Sequence, residues 1–364
     1  MDCVEVVPRA GDRSHLAWRA RDIAELRALV DDGRDDAVPA LVDLLARQAD
    51  ELRSAGDREA SDEAVAAALA LAGERDDAAT RIALAGAWYV RSGFDWGMRD
   101  RDALGDLERA AAILAGLPPE AFGPGDRDVH VKVCDRLGVL QDRLGDLAAA
   151  DGALDRGLAL YDQFRPELDR RYIGQLWLHK GTVLAALGRH REACDLFGCA
   201  IECYDFAGGH ELDLGVLHER RGRSYRALGE PAAAIAAYEQ ADRTLRLLQP
   251  DPDLALQLAR VLVALADLRR EIGAAAGALA PQRRACELMR QLARRDRSLP
   301  LARERARARV TLAQLLALAG GAAAAATELE ALIPELDEAV RSTGDEPLAA
   351  TLQLAWTTLA GLDP

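Results

Sequence analysis

The sequence predicts an all-α protein, an α-solenoid of antiparallel helical hairpins. Ala, Leu and Arg dominate the 364 residues, and these side chains lose little rotamer freedom in a helix. No stretch alternates apolar and polar residues as a half-buried strand does. A pattern of spaced glycines recurs along the chain, which indicates repeats. A chain of this length forms several domains or a repeat array, because a single core stops growing near ~250–300 residues.

The recurring pattern is clearest in the middle of the chain. Three glycine pairs have a spacing of seven residues: Gly138 and Gly145, Gly181 and Gly188, Gly222 and Gly229. An alanine follows five residues after each pair, and a large side chain four residues after that: Ala150 and Leu154, Ala193 and Phe197, Ala234 and Tyr238. The first glycine lies inside a helix, where it costs about 1 kcal/mol relative to Ala and needs a packing reason. The second ends the helix in the left-handed conformation, which only glycine adopts cheaply. The alanine and the large side chain share one face of the next helix and fill the space that the first glycine leaves.

These residues resemble the tetratricopeptide repeat, whose pattern is Trp-x2-Leu-Gly-x2-Tyr, then Ala-x3-Phe, then Pro. Trp177 lies four residues before Gly181, and Tyr225 lies three residues after Gly222, as the family requires. The resemblance implies a right-handed superhelix whose first helices face a concave groove. Its first glycines are 43 and 41 residues apart here, against a family period of about 34. The extra residues lengthen the second helix of each hairpin by about two turns or lengthen the loop that follows it.

The predicted organisation runs in order along the chain. Residues 1–37 form an N-terminal segment with a capping helix, and residues 38–340 form the repeats. The repeat units are 38–73, 76–116, 126–164, 170–207, 212–248, 252–294 and 300–340. Fainter versions of the motif mark the outer units, among them Gly86 with Gly93. Residues 346–361 form a C-terminal capping helix with an apolar stripe of Leu348, Leu352, Ala355, Trp356 and Leu359, from which Thr351, Gln353, Thr357 and Thr358 face away.

Composition and charge exclude several classes of function. The net charge of −14 disfavours a general nucleic-acid binder, because the phosphate backbone requires clustered cations. The first ten residues lack the long apolar run of a signal peptide, and nowhere are there the ~20 consecutive apolar residues that span a bilayer. Six cysteines without a framework of spacings are typical of reduced thiols, so we expect a cytoplasmic protein.

The sequence contains no convincing catalytic or metal motif, and we expect no cofactor. It lacks the phosphate-binding loop and the G-x-S-x-G elbow, and neither His210-Glu211 nor His218-Glu219 completes a zinc-protease pattern. The best metal candidates are His190, Cys194, Cys199, Cys203 and His210. At 100° per residue, Cys199 and Cys203 lie opposite His190 and Cys194 on one helix, so they cannot surround a tetrahedral zinc. The alternative, which we favour, is that Cys194 flanks the core and the other two cysteines face outward or the next repeat.

The resemblance assigns a partner-binding surface to the first helices. The residues at the groove positions are Asp135, Val139, Asp142, Leu178, Thr182, Glu219, Arg223, Arg226, Arg260, Asp267 and Arg270. The arginines are suited to bidentate recognition of carboxylates. The alternative is that they pair with Glu219, Asp267 and Glu271 in an ordinary solvated face. A second candidate contact is the aromatic loop after Gly93, through Phe94 and Trp96.

The function predicted from these features is a non-catalytic scaffold or adaptor whose groove binds another protein or a peptide. A rival is a peptide-responsive regulator that changes superhelical pitch on binding, and an enzyme ranks last. The sequence predicts no nucleic-acid or membrane partner, and it leaves open whether copies of the chain associate.

Overall fold

The computed structural model describes residues 14–73, 75–93, 99–164, 170–208, 210–248 and 252–362. Over these residues the chain forms sixteen α-helices, two short 3-10 helices and no strand. Within each of the two compact units described below, each helix packs against the next one in the sequence. The predicted all-α fold of helical hairpins is therefore confirmed.

The chain divides into two compact units, Met1–Leu187 and Gly188–Pro364. The helices of the first unit are α1 (Ser14–Asp31), α2 (Val38–Ser54), α3 (Arg58–Ala72), α4 (Ala78–Ser92), α5 (Asp100–Ala115), α6 (Pro124–Arg143), α7 (Leu147–Phe164) and α8 (Arg170–Ala186). The helices of the second unit are α9 (His190–Ala207), α10 (Glu211–Ala227), α11 (Pro231–Leu245), α12 (Pro252–Glu271), α13 (Ala275–Leu292), α14 (Leu299–Leu318), α15 (Ala322–Thr343) and α16 (Glu346–Ala360). The 3-10 helices are Asp35–Ala37 and Pro119–Ala121.

Left-handed glycines end the first helices of the hairpins. Gly145 has φ of 86° and Gly229 has φ of 72°. At the first turn the Asp146 amide donates to the Gln141 carbonyl and the Gly145 amide to the Asp142 carbonyl, both at 2.9 Å. This pair of bonds is the Schellman motif, which satisfies carbonyls that the end of a helix leaves free. The second glycine of each of these two pairs therefore acts as the sequence predicts.

The first glycines of two pairs allow close approach of the next helix. A Cβ atom on Gly138 would lie 2.5 Å from Cγ of Leu154, and one on Gly222 would lie 3.0 Å from the Tyr238 ring. Leu154 and Tyr238 are fully buried. The packing reason predicted for a glycine inside each helix is therefore present in both α6 and α10.

The pair Gly86 and Gly93 has the same spacing but not the same role. A Cβ atom on Gly86 would meet no described atom within 4 Å. Gly93 has φ of −70°, and the Arg53 side chain occupies the space where its Cβ would lie. The motif therefore predicts a helical unit here correctly but not its glycine contacts, because α4 packs through other residues, Ile82 and Ala85 among them.

Each unit has its own core of aliphatic and alanine side chains. Val42 and Leu45 lie at the centre of one cluster in the first unit. Tyr238, Leu262 and Met289 lie at the centre of another in the second unit. Because the core is divided into local clusters, each helix pair is buried mainly by its neighbours, as in repeat proteins generally.

The capping helix α16 differs from the predicted stripe at two positions. Leu348 and Ala355 are buried as predicted, but Trp356 is 53% exposed and Thr351 is only 5% exposed. The buried face is centred on Leu348, Leu352 and Ala355, and at 100° per residue Trp356 lies at its far edge. The Thr351 hydroxyl donates to the Pro347 carbonyl at 2.9 Å, so its polar group is satisfied where it is buried.

Candidate binding surfaces

Alternate helices of the second unit line a single concave surface. The helices α10, α12, α14 and α16 contribute most of the side chains around a cavity of about 630 Å³. We call this surface the second-unit groove and define it by its charged residues, Arg226, Arg260, Asp267, Arg270, Glu304 and Arg307. Four of the predicted residues, Arg226, Arg260, Asp267 and Arg270, are among them.

The floor of the second-unit groove is apolar. Val263 and Ala264 of α12 lie beside Ala308 of α14, and Leu354 of α16 stands at the edge of the cavity. Leu354 is 47% exposed although it is a large apolar side chain. A cavity of this size with apolar walls and a few charged groups has the character of a ligand-binding surface.

Two arginines of the groove bind carboxylates on the groove-lining helix that follows their own. Arg226 of α10 pairs with Glu271 of α12. Arg260 of α12 donates two hydrogen bonds to Glu304 of α14, at 3.0 and 2.6 Å. The carboxylates thereby occupy much of the donor capacity of these two guanidinium groups.

Arg270 and Arg307 keep unused donors. Nη2 of Arg270 is 3.6 Å from Asp267, beyond hydrogen-bond distance, and its Nε is buried without a partner among the described residues. Arg307 is exposed, and no carboxylate of the described part of the chain lies within 4.0 Å of it. Arg307 is absent from the predicted set, because the motif that places groove residues is degenerate in α14.

The predicted residue Glu219 is not at the surface. Its exposure is 6%, and it pairs with Arg223, which extends into solvent. Burial raises the pKa of the Glu219 carboxyl against the opposing effect of Arg223, and burial likewise raises the pKa of Asp267. The pairs Arg223–Glu219 and Arg226–Glu271 are those expected of an ordinary charged face, so these two arginines are less available to a ligand than Arg307.

In the first unit the predicted residues lie on α6 and α8. Nδ1 of His179 is 2.6 Å from Asp135, and the Thr182 hydroxyl donates to the Leu178 carbonyl at 2.7 Å. Val139 and Asp142 are half-buried on α6. Sequence reasoning did not single out His179, whose position beside Asp135 depends on how α6 and α8 pack.

The structure also bears on the aromatic loop, the metal candidates and the search for membrane-spanning segments. Phe94 and Trp96 lie outside the described residues. Cys194 is buried on α9 and Cys199 is exposed, and the part of the chain that the structure describes holds no group of three or more His, Cys, Asp or Glu residues arranged to bind a metal. No described helix is both long enough and apolar enough to cross a bilayer.

The described helices of both units form the antiparallel hairpins of a helical repeat fold. Residues 172–246 match the family model described as tetratricopeptide repeat. This part of the chain therefore consists of tetratricopeptide repeats. No curated protein matches the sequence.

Solved structures show the same fold along the chain. A signal transduction ATPase with numerous domains and a tetratricopeptide repeat sensor, from Pyrococcus horikoshii, aligns with a TM-score of 0.60 at 12% identity, over 98% of this chain and 50% of that protein. The apo form of RapI aligns with a TM-score of 0.57 at 11% identity, over 95% of this chain and 98% of RapI. BtubC from P. vanneervenii aligns with a TM-score of 0.52 at 20% identity, over 65% of this chain and 92% of BtubC.

Proposed function

We propose that the chain is a non-catalytic binding module whose second-unit groove holds a peptide segment of another protein. The segment places an apolar side chain on the groove floor and a carboxylate between Arg270 and Arg307. The observation that carries the proposal is the pair of incompletely bonded guanidinium groups beside an apolar cavity.

The apolar floor supports a peptide ligand over a purely ionic one. Val263, Ala264 and Leu354 offer carbon surface that a ligand side chain can cover. Burying apolar area contributes about 25 cal/mol per Å² before the costs of association. One buried leucine-sized side chain therefore contributes about 1.5–3 kcal/mol, which adds to the contacts of the carboxylate.

The two arginines supply the polar half of the recognition. The side chain of Arg270 is partly exposed and Arg307 is exposed, so the terminal nitrogens of both can donate to an incoming carboxylate. Arginine presents its donors in a planar fork that matches a carboxylate. Because Arg226 and Arg260 already bind Glu271 and Glu304, the specificity for an acidic group lies with Arg270 and Arg307.

A second candidate function is a peptide-responsive regulator. Two ion pairs, Arg226–Glu271 and Arg260–Glu304, lie at the groove and also connect successive first helices. A ligand that competes for either carboxylate would weaken a contact between helices, and this would change how the repeats stack. The two ion pairs are consistent with such a switch. The unused donors of Arg270 and Arg307 favour binding that leaves the stacking of the repeats unchanged.

The experiment is a selection of random twelve-residue peptides displayed on phage against the purified chain. We expect enriched peptides to combine Asp or Glu with a nearby Leu, Ile or Phe. The same selection against the Arg270→Glu, Arg307→Glu double variant should not enrich them, because the carboxylate would face a like charge.

The matched control is Arg297→Glu, which reverses an exposed arginine in the loop before α14. It should retain the enrichment of the unsubstituted chain. The proposal fails if no peptide family emerges, or if the same family is selected by the double variant while circular dichroism shows that the variant remains helical.

A further inference from the structure

A second cavity lies in the first unit, among helices α3, α4 and α5, and its wall is rich in arginine. Its volume is about 620 Å³, and five arginines and three aspartates line it. We call it the arginine pocket. With two more cations than carboxylates in a chain whose net charge is −14, it is a local centre of positive charge.

Two of the guanidinium groups are held in place by one buried carboxylate. Asp106 is 3% exposed. It accepts hydrogen bonds from Arg91 at 2.7 and 2.5 Å and from Arg109 at 3.0 Å. The same guanidinium groups lie 4.1 and 4.8 Å from the centre of the Trp88 ring. Because three of their ten N–H donors are used at Asp106, both groups are oriented and still able to donate.

Two further cations of the pocket have no carboxylate partner among the described residues. Arg58 on α3 and Arg101 on α5 are exposed, and no carboxylate of the described residues lies within 4.0 Å of either. Arg58 and Arg101 therefore add unneutralised charge on two sides of the fixed pair.

A glycine in the pocket wall independently indicates that a ligand binds there. Gly105 lies inside α5, where glycine costs about 1 kcal/mol relative to Ala. A Cβ atom there would meet no other described atom within 4 Å, unlike the Cβ of Gly138. Packing among the described residues thus gives no reason for this glycine, whereas a ligand lying against the α5 backbone would.

We propose that the arginine pocket binds a small molecule carrying a diphosphate group. Arginine forks suit phosphate oxygens, and fixed guanidinium groups on different helices match two neighbouring phosphoryl groups better than a single charge. The volume lies within the ~300–1,000 Å³ typical of small-molecule sites. Free pyrophosphate and a nucleotide present this same chemistry.

The test is isothermal titration calorimetry of the full chain with pyrophosphate, ATP and adenosine. We expect one pyrophosphate per chain, with an affinity that falls as salt rises. Equal affinities for pyrophosphate and ATP would identify the diphosphate as the recognised group, and tighter ATP binding would identify a nucleotide. Adenosine that binds as tightly as ATP would overturn the proposal.

Variants locate the binding within the pocket. Arg109→Ala and Arg101→Ala should each weaken pyrophosphate binding about tenfold or more, as expected for hydrogen bonds to charged groups. Gly105→Leu should fill the pocket and abolish binding while the helical circular dichroism signal is kept. Arg297→Ala in the second unit is the control and should bind normally.

The proposal is wrong if millimolar pyrophosphate produces no binding heat, or if Gly105→Leu and both arginine variants bind as well as the unsubstituted chain. Failure of the pyrophosphate test would leave the proposed peptide binding untouched, because the peptide is assigned to residues of the second unit.

Discussion

At the scale of single residues, glycine has two distinct uses inside these helices. Gly138 and Gly222 have no side chain because Leu154 and Tyr238 of the following helices occupy that space. Gly86 and Gly105 have open space instead. The spacing pattern identified Gly138 and Gly222, but it could not separate Gly86 from them, because the difference lies in the packing of the next helix.

This difference can be tested by adding one methyl group. Gly138→Ala would place a Cβ 2.5 Å from Cγ of the fully buried Leu154, so either the Leu154 side chain or the two helices must shift. We expect a loss of about 1–3 kcal/mol in the free energy of unfolding, measured by urea denaturation.

The matched control is Gly86→Ala, which adds the same methyl group to open space. Its expected effect is neutral or stabilising by up to about 1 kcal/mol, since Ala is the better helix former. Equal destabilisation by both substitutions would show that the contact of Gly138 with Leu154 is not what requires the glycine.

The candidate groove is also understood best residue by residue. The sequence identified Arg226, Arg260 and Arg270 from their spacing on first helices. It offered Glu271 as a pairing partner but missed Glu304, because that carboxylate comes from the next repeat, 44 residues from Arg260. It missed Arg307 for a related reason, since α14 lacks a clear motif to set its register.

At the scale of helices, the turn after each first helix depends on backbone conformation. Gly229 has φ of 72°, and its amide donates to the Arg226 carbonyl at 3.0 Å. A residue with a Cβ atom is strained in this conformation, by roughly 1–2 kcal/mol.

Two substitutions at this one position test the turn. Gly229→Ala should lower the free energy of unfolding by about 1 kcal/mol, and Gly229→Asn by less, because Asn tolerates the left-handed region. Thermal unfolding followed by circular dichroism measures both. If the Asn variant is as unstable as the Ala variant or more so, the left-handed conformation is not what limits this position.

The capping helix shows the limit of helical spacing as a guide. The pattern of α16 predicted its buried face correctly at Leu348 and Ala355 but not at Trp356 and Thr351. The helical spacing alone leaves the positions at the boundary of the stripe undecided, and packing against α14 and α15 determines them. Thr351 faces the groove side of that contact and Trp356 does not.

At the scale of the whole molecule, local patterns carry most of the information about the fold. Helix propensity and recurring glycine spacing predicted an all-α chain of hairpins, because each repeat is stabilised mainly by its neighbours. The candidate binding surfaces depend on side chains from several repeats. The arginine pocket in particular joins Arg58, Arg91 and Arg109 from three helices, and no sequence spacing relates them.

The most direct test of the central claim is a charge-swap titration with a peptide from the phage selection. Two proteins are compared, the unsubstituted chain and Arg307→Glu. Each is titrated with the selected peptide and with a second peptide in which lysine replaces the acidic residue, and fluorescence anisotropy gives the four affinities. A carboxylate bound at Arg307 predicts that each exchange alone weakens binding at least tenfold and that the two together largely restore it. Independent, additive losses with no restoration would contradict the account and would show that the peptide does not bind at this position of the groove.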